Sequence, residues 1–433
     1  MRSNSNLYFN LILPIIFLIL STFELSSCSC PSGVSIDETS CFNNVIKFDT
    51  KEYRAGHFVT YKNGDLIAEF SDDGGDDKGF SRIFYGLKKN GRYDFPNETA
   101  TLEIANIGSI GTARGRYESL NQLVYIEDDQ EKSKQYLFST SSYESLTELH
   151  DMETGNYIYV KTSDFMGKSI FSFQYSMVEA EKDNKIFYFI GFTHSSTDSQ
   201  NGDRLDIKKF GFKSFNLTNI HYYAIANITD NIDNRILNLF ILNEWDILVL
   251  VYIKNDKTLR FKYYNYDLVE QGTETNLFSI TMALEGENAR DRNGVFFKSV
   301  ELPDNKRAFV LYDNGIADTL IFRIYEFSQN GNTYSASQKL SVGSHDIKEY
   351  RFNAYVTFND IYKINDTRIA IVSVSENTQG LVLLLYDLYN NYQSLKMRWY
   401  FVNIQNLGLK KELSLYTFND FLMLTLTGQI SQI

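Results

Sequence analysis

Residues 247–253 read ILVLVYI, an unbroken apolar run between Trp245-Asp246 and a polar stretch that opens at Lys254. A strand with one wet face alternates apolar and polar side chains, so a run with neither face polar reads as a strand covered on both faces. Its shortness, its β-branched and aromatic content, and the Asp before it favour a strand over a helix.

Comparable runs start at Leu66 (LIAEF), Leu123 (LVYI), Ile186 (IFYFI), Ala308 (AFVLY), Ile369 (IAIVSV) and Phe421 (FLMLTL). With Ile247 in its place, subtraction gives intervals of 57, 63, 61, 61, 61 and 52 residues. Turn formers precede each start: Asn63-Gly64-Asp65, Asn121, Asp183-Asn184, Asp246, Asp304-Asn305, Asn365-Asp366 and Asn419-Asp420. A second mark keeps the same period. An aromatic-acid-apolar triplet closes the following run at Tyr266-Asp267-Leu268, Tyr325-Glu326-Phe327 and Tyr386-Asp387-Leu388, with spacings of 59 and 61.

A fixed period of this kind, in short strands buried on both faces, predicts an all-β, seven-bladed β-propeller-like repeat, with blades longer than the roughly 40–50 residues of common propeller repeats. On this expectation segments 66–70, 123–126, 186–190, 247–253, 308–312, 369–374 and 421–426 are equivalent inner strands of seven sheets around one axis. A six-bladed propeller and tandem β-sandwiches are the alternatives, although no Pro/Gly/Ser-rich linker interrupts residues 45–433. Val45–Phe48 and His57–Tyr61 offer an outer closing strand and an innermost first strand. In the sixth unit the next strand starts at Leu381, twelve residues after Ile369, whereas twelve residues after Phe421 is Ile433. The seventh unit is therefore expected to be incomplete, with further residues or a membrane anchor beyond it. Residues 141–155 (SSYESLTELHDMETG) read as an inter-strand loop or a marginal helix.

The remaining composition sets limits. A chain of 433 residues with 43% apolar and 22% charged side chains is globular rather than disordered. A formal charge of -12 argues against nucleic acid and anionic membrane as partners, since both call for basic patches. Thirty Tyr and 33 Phe against four Pro suit pleated sheets.

Leu7–Phe23 is a long apolar stretch after Arg2, broken by Asn10 and Pro14 and followed by small serines. It reads as a cleavable signal peptide over 1–29 rather than a spanning helix. Cleavage after Ser29 removes Cys28 and leaves Cys30 and Cys41 as a pair whose disulfide would close a short N-terminal loop over 30–44, ahead of the 45–433 body. Exported chains are glycosylated at N-x-S/T, and Asn97, Asn216, Asn227 and Asn365 stand in such sequons.

Catalytic signatures are sparse. The histidines at 57, 150, 194, 221 and 345 are scattered, and no G-x-S-x-G, H-E-x-x-H or phosphate-cradling glycine loop occurs. The loop SDDGGDDKG at 71–79 is the calcium candidate, because Asp72, Asp73, Asp76 and Asp77 around two glycines offer hard oxygen ligands. The alternation of ligands seen in dedicated calcium loops is missing, which favours a solvated hairpin tip, and no other cofactor is expected. The sequence thus predicts a secreted or cell-surface binding or adhesion ectodomain without catalytic activity, whose partner is a protein or glycan on a cell surface or matrix. No membrane insertion of the mature body is expected. The alternative is an extracellular glycoside hydrolase using two of the 54 acids at a channel mouth.

Overall fold

A computed structural model describes the strands given below with short flanking and connecting turns, all between Tyr53 and Thr427. The described part is all-β: six four-stranded antiparallel sheets and two two-stranded pairs, each four-stranded sheet a meander of consecutive strands except the first, where a small hairpin separates the third strand from the fourth. The first sheet holds Tyr53–Thr60, Leu66–Asp72, Gly79–Phe84 and Thr101–Ile107, and the second Ser119–Val124, Tyr136–Ser141, Leu146–Asp151 and Tyr157–Lys161. Ser172–Lys182, Lys185–His194, Arg204–Phe212 and Ile220–Ile228 form the third; Ile232–Leu242, Ile247–Lys254, Thr258–Asn265 and Thr275–Ser279 form the fourth. The fifth comprises Val295–Leu302, Lys306–Asp313, Thr319–Asn330 and Thr333–Leu340, and the sixth Val356–Asn365, Arg368–Ser375, Gly380–Tyr389 and Ser394–Asn403. Glu412–Phe418 and Phe421–Thr427 pair as a seventh sheet, and Lys88–Lys89 with Arg92–Tyr93 makes a small hairpin.

The run that opened the sequence reading is the second strand of the fourth sheet, and its two faces go to different cores. Ile247, Val249, Val251 and Ile253 join Phe240, Phe261, Phe309 and Phe327 in a core shared with the fifth sheet. Leu248, Leu250 and Tyr252 join Phe187, Phe189 and Ile207 in a core shared with the third. The other interfaces repeat this layout, with Ala308 and Val310 facing Ile369 and Ile371 between the fifth and sixth sheets. The third, fourth and fifth sheets are thus each packed between two neighbours, which is why the second strands of these sheets are apolar on both faces.

The first strands of consecutive sheets touch one another from the first to the seventh, and the first strand of the seventh touches that of the first. Hydrogen bonds tie positions one repeat apart. The Leu239 N–H donates to Ser176 Oγ at 2.8 Å, and Ser299 Oγ donates to Asn238 Oδ1 at 3.2 Å.

Six of the seven apolar runs lie on second strands, and the seventh does not. Leu123–Ile126 overlaps the end of the second sheet's first strand, whose partner Tyr136–Ser141 (YLFSTS) is the true equivalent. Phe138 is fully buried there, but the serines and threonine beside it hide the strand from an apolar scan. Residues 141–155 are likewise not a loop or helix throughout: Leu146–Asp151 is a strand whose Leu149 enters the core between the second and third sheets. Of the segment His57–Tyr61, residues 57–60 lie in Tyr53–Thr60, the first strand of the first sheet, and Tyr61 lies outside the described residues. Val45–Phe48 lies outside the described residues.

Candidate binding clefts between the fourth, fifth and sixth sheets

The turn between the first two strands of the fifth sheet is Pro303-Asp304-Asn305, with Asp304 and Asn305 in left-handed conformation at φ 56° and 55°. Short Asx side chains tolerate that region, and consecutive positive φ values match the right-handed twist of a tight hairpin. The turn delivers Lys306 and Arg307 to the start of the second strand, directly opposite Leu302 and Glu301.

Lys306 is 2% exposed and fully engaged. Its ammonium lies 3.3 Å from Asp304 and 3.5 Å from Glu326, 5.3 Å from the centre of the Tyr392 ring. Glu326 is the acid of the second triplet and also takes Lys339 at 2.5 Å. The third triplet repeats the device, with Asp387 receiving Arg368 Nε at 2.5 Å. Asn305 Nδ2 reaches across one repeat to the Glu244 carboxylate.

Arg307 differs. Its guanidinium lies 4.2 Å from the centre of the Phe240 ring, and its Nε donates to Ser299 Oγ at 3.0 Å. Burial, only partly offset by the Glu301 charge, pushes it down to about 10. Two adjoining clefts share this residue. One, of about 350 Å³, runs between the fourth and fifth sheets and is lined by Leu242, Glu244, Glu301, Pro303, Asn305 and Arg307 among others. The second, of about 530 Å³, adds Ser299, Tyr362 and Lys363 of the fifth and sixth sheets. Nothing in the sequence reading singled these residues out, because Lys306-Arg307 look like a solvated pair ahead of an apolar run. The available signal was two cations inside a strand rather than in a loop.

A second ionic cluster sits at the far end of the fourth sheet. Glu274 accepts from the Tyr252 hydroxyl and from Arg260, with Lys254 at 3.5 Å, while Arg260 also meets Asp256. Burial alone would raise the Glu274 carboxyl, but these donors and cations hold it below its ordinary range. Glu179 goes the other way, raised by desolvation despite the Tyr188 hydroxyl at 3.2 Å.

The sequence-predicted residues do not converge on these places. Cys30, Cys41, Asn97, Asn216, Asp73, Asp76 and Asp77 lie outside the described residues. Asp72 is the last residue of the first sheet's second strand, and Asn227 lies in the fourth strand of the third sheet, opposite Asp206. Asn365 is exposed at the turn before the sixth sheet's second strand, where its Oδ1 accepts from the Thr367 N–H at 2.9 Å. Trp245 ends the 3-10 turn Asn243–Trp245 and Asp246 caps it in left-handed conformation, the indole packing against Tyr334 at 5.9 Å and Asp246 pairing with Lys182 at 3.1 Å.

No family model matches the sequence, and no curated protein matches it. Solved structures with a similar chain path include an arginine-to-alanine variant of AofleA from Arthrobotrys oligospora, at 12% identity and a TM-score of 0.41 over 85% of this chain and 94% of that one. A puromycin-hydrolysing peptidase of Mycobacterium tuberculosis shares 8% identity at a TM-score of 0.40 over 77% and 45%. An α-L-arabinofuranosidase variant of Fusarium graminearum, in complex with an iminosugar inhibitor, shares 10% identity at 0.33 over 80% of each chain.

Proposed function

We propose that this chain is a secreted or cell-surface binding or adhesion ectodomain on a seven-bladed β-propeller, with a protein or glycan of a cell surface or matrix as its partner. The observation that carries the architecture is the cycle of first-strand contacts, which returns from the seventh sheet to the first. Tandem sandwiches would leave that cycle open, and a six-membered ring would leave one sheet out of it. Binding rather than hydrolysis is supported by three acids at the clefted end, Asp304, Glu326 and Asp387, each held by a lysine or arginine of the scaffold, with the cleft-lining Glu244 bonded to Asn305 and Glu301 alone in the lining without such a contact among the described residues. A glycosidase acid needs a carboxyl kept protonated beside its substrate, not one matched to a cation.

In this reading residues 1–29 are removed on export, Cys30 and Cys41 are bridged, and Asn365 carries a glycan. The test is to express the full chain in a secreting eukaryotic host and assay the purified protein on glycan and matrix-protein arrays and on chromogenic glycosides. Saturable binding without turnover is the expected result. Release of chromophore by the native protein, abolished by substituting acids around the axis, would replace this reading with the hydrolase.

A further inference from the structure

We propose that Arg307 anchors a carboxylate-binding site in the two joined clefts between the fourth, fifth and sixth sheets. The inference deepens the binding reading above and rests on it for its biological use, though not for the chemistry of the site.

The case begins with what surrounds the guanidinium. Lys306 has two carboxylates, Arg260 two and Arg368 one. For Arg307, among the described residues, no carboxylate lies within ion-pair distance, and only Nε has a hydrogen-bond partner, Ser299 Oγ. Glu301, opposite it across the strands, contributes its charge without contact. Arg307 is half-buried and lines both clefts, so the terminal amino groups of its five-donor fork remain open to the oxygens of a ligand.

The position is also rigid. Phe240 supports one face of the guanidinium, and Nε is tied to a hydroxyl that itself donates to Asn238 one repeat away. Stacking and a fixed Nε orient the remaining amino groups before any ligand arrives. Planar bidentate pairing of a guanidinium with a carboxylate is the interaction such a fork suits best. Both clefts reach the same residue, so a ligand can place its carboxylate there and extend along either wall. Tyr362 and Pro303 supply apolar surface, and Glu244 and Asn305 hydrogen-bonding groups, which fits a ligand of sugar or amino-acid size.

The experiment titrates the full chain, by calorimetry or NMR, with two carboxylates, glucuronate and N-acetylglutamate amide, each against its neutral counterpart, glucose and N-acetylglutamine amide. Saturation by at least one carboxylate and by neither neutral compound is expected, and which one saturates separates an acidic sugar from an acidic peptide. Arg307→Gln should weaken binding about tenfold or more, as loss of a charged hydrogen bond does. Arg307→Lys should fall between, and Glu301→Gln should tighten binding by removing the nearest competing charge. Absence of saturation by either carboxylate overturns the site, as does an Arg307→Gln protein that is folded and binds equally well. If Arg307→Gln does not fold, Glu301→Gln decides, and unchanged affinity there overturns the proposal. A chain that binds array glycans or proteins but neither carboxylate loses this site and keeps the wider reading.

Discussion

The triplet tyrosines show how a single side chain joins two sheets. Tyr266 of the fourth sheet packs on Phe187 at 5.2 Å and Phe189 at 5.5 Å in the third. Tyr325 of the fifth meets Phe261 of the fourth at 5.8 Å, and Tyr386 of the sixth stacks on Phe322 of the fifth at 4.6 Å. Each ring bridges backward by one sheet, which explains why this triplet keeps the period. Burial pushes the Tyr266 and Tyr325 hydroxyls up to about 12, so they stay neutral at any pH at which the fold is handled. Val249 is fully buried in the same interfacial system. Val249→Asp places an uncompensated charge there and should lower stability by at least about 3 kcal/mol, read as a shift in the urea midpoint. Secretion with an unchanged midpoint would remove that strand from the core.

Glu274 gives the residue scale its pH dependence. Its carboxyl is held below the unfolded value, so its stabilising contribution is complete above that value and lost as pH falls through the folded one. The gap in melting temperature between the native chain and Glu274→Gln should therefore be widest near neutrality and close below about pH 4.5. At neutral pH the substitution should cost about 1–2 kcal/mol, through loss of charged hydrogen bonds at a site still touched by solvent. A gap that widened in acid would contradict the ion cluster.

At the scale of the element, the hairpins between first and second strands carry the repeat. Asp183 and Asn184 sit at φ 53° and 61°, as Asp304 and Asn305 do one sheet pair further on. Asn184→Val should cost about 1–2 kcal/mol, since a β-branched residue fits the left-handed region poorly, while Asn184→Gly should be tolerated. Thermal unfolding of the two variants side by side measures this. These turns and the doubly buried strands after them were legible in the sequence because both are written in residue type. The second sheet was not, because Tyr136–Ser141 buries Phe138 within a polar stretch and its neighbour Leu123–Val124 supplies a decoy. The clefts were illegible for a different reason. Arg307, Ser299 and Phe240 meet only through sheet-to-sheet packing, and the cation that lacks a carboxylate looks in sequence like Lys306 beside it, which has two.

For the whole molecule the informative contact is between the ends of the described chain. Glu412–Phe418 touches both Val356–Asn365 and Tyr53–Thr60. Deleting residues 412–433 should therefore loosen the first and sixth sheets together, lowering their amide protection in hydrogen exchange while leaving that of 247–253 near the native value. Loss confined to the sixth sheet would break the cycle on which the propeller reading stands. The same contact has a consequence for synthesis. Every other sheet gains its second neighbour as soon as about 60 more residues emerge, as the repeat period sets it. Tyr53–Thr60 alone must wait until residue 412 before its partner exists. Throughout that interval the place of the closing hairpin is open to the equivalent hairpin of another chain, which fits it equally well. At high expression the expected by-product is thus a reciprocally exchanged dimer, whose yield rises with nascent-chain density and which separates into monomers only by unfolding.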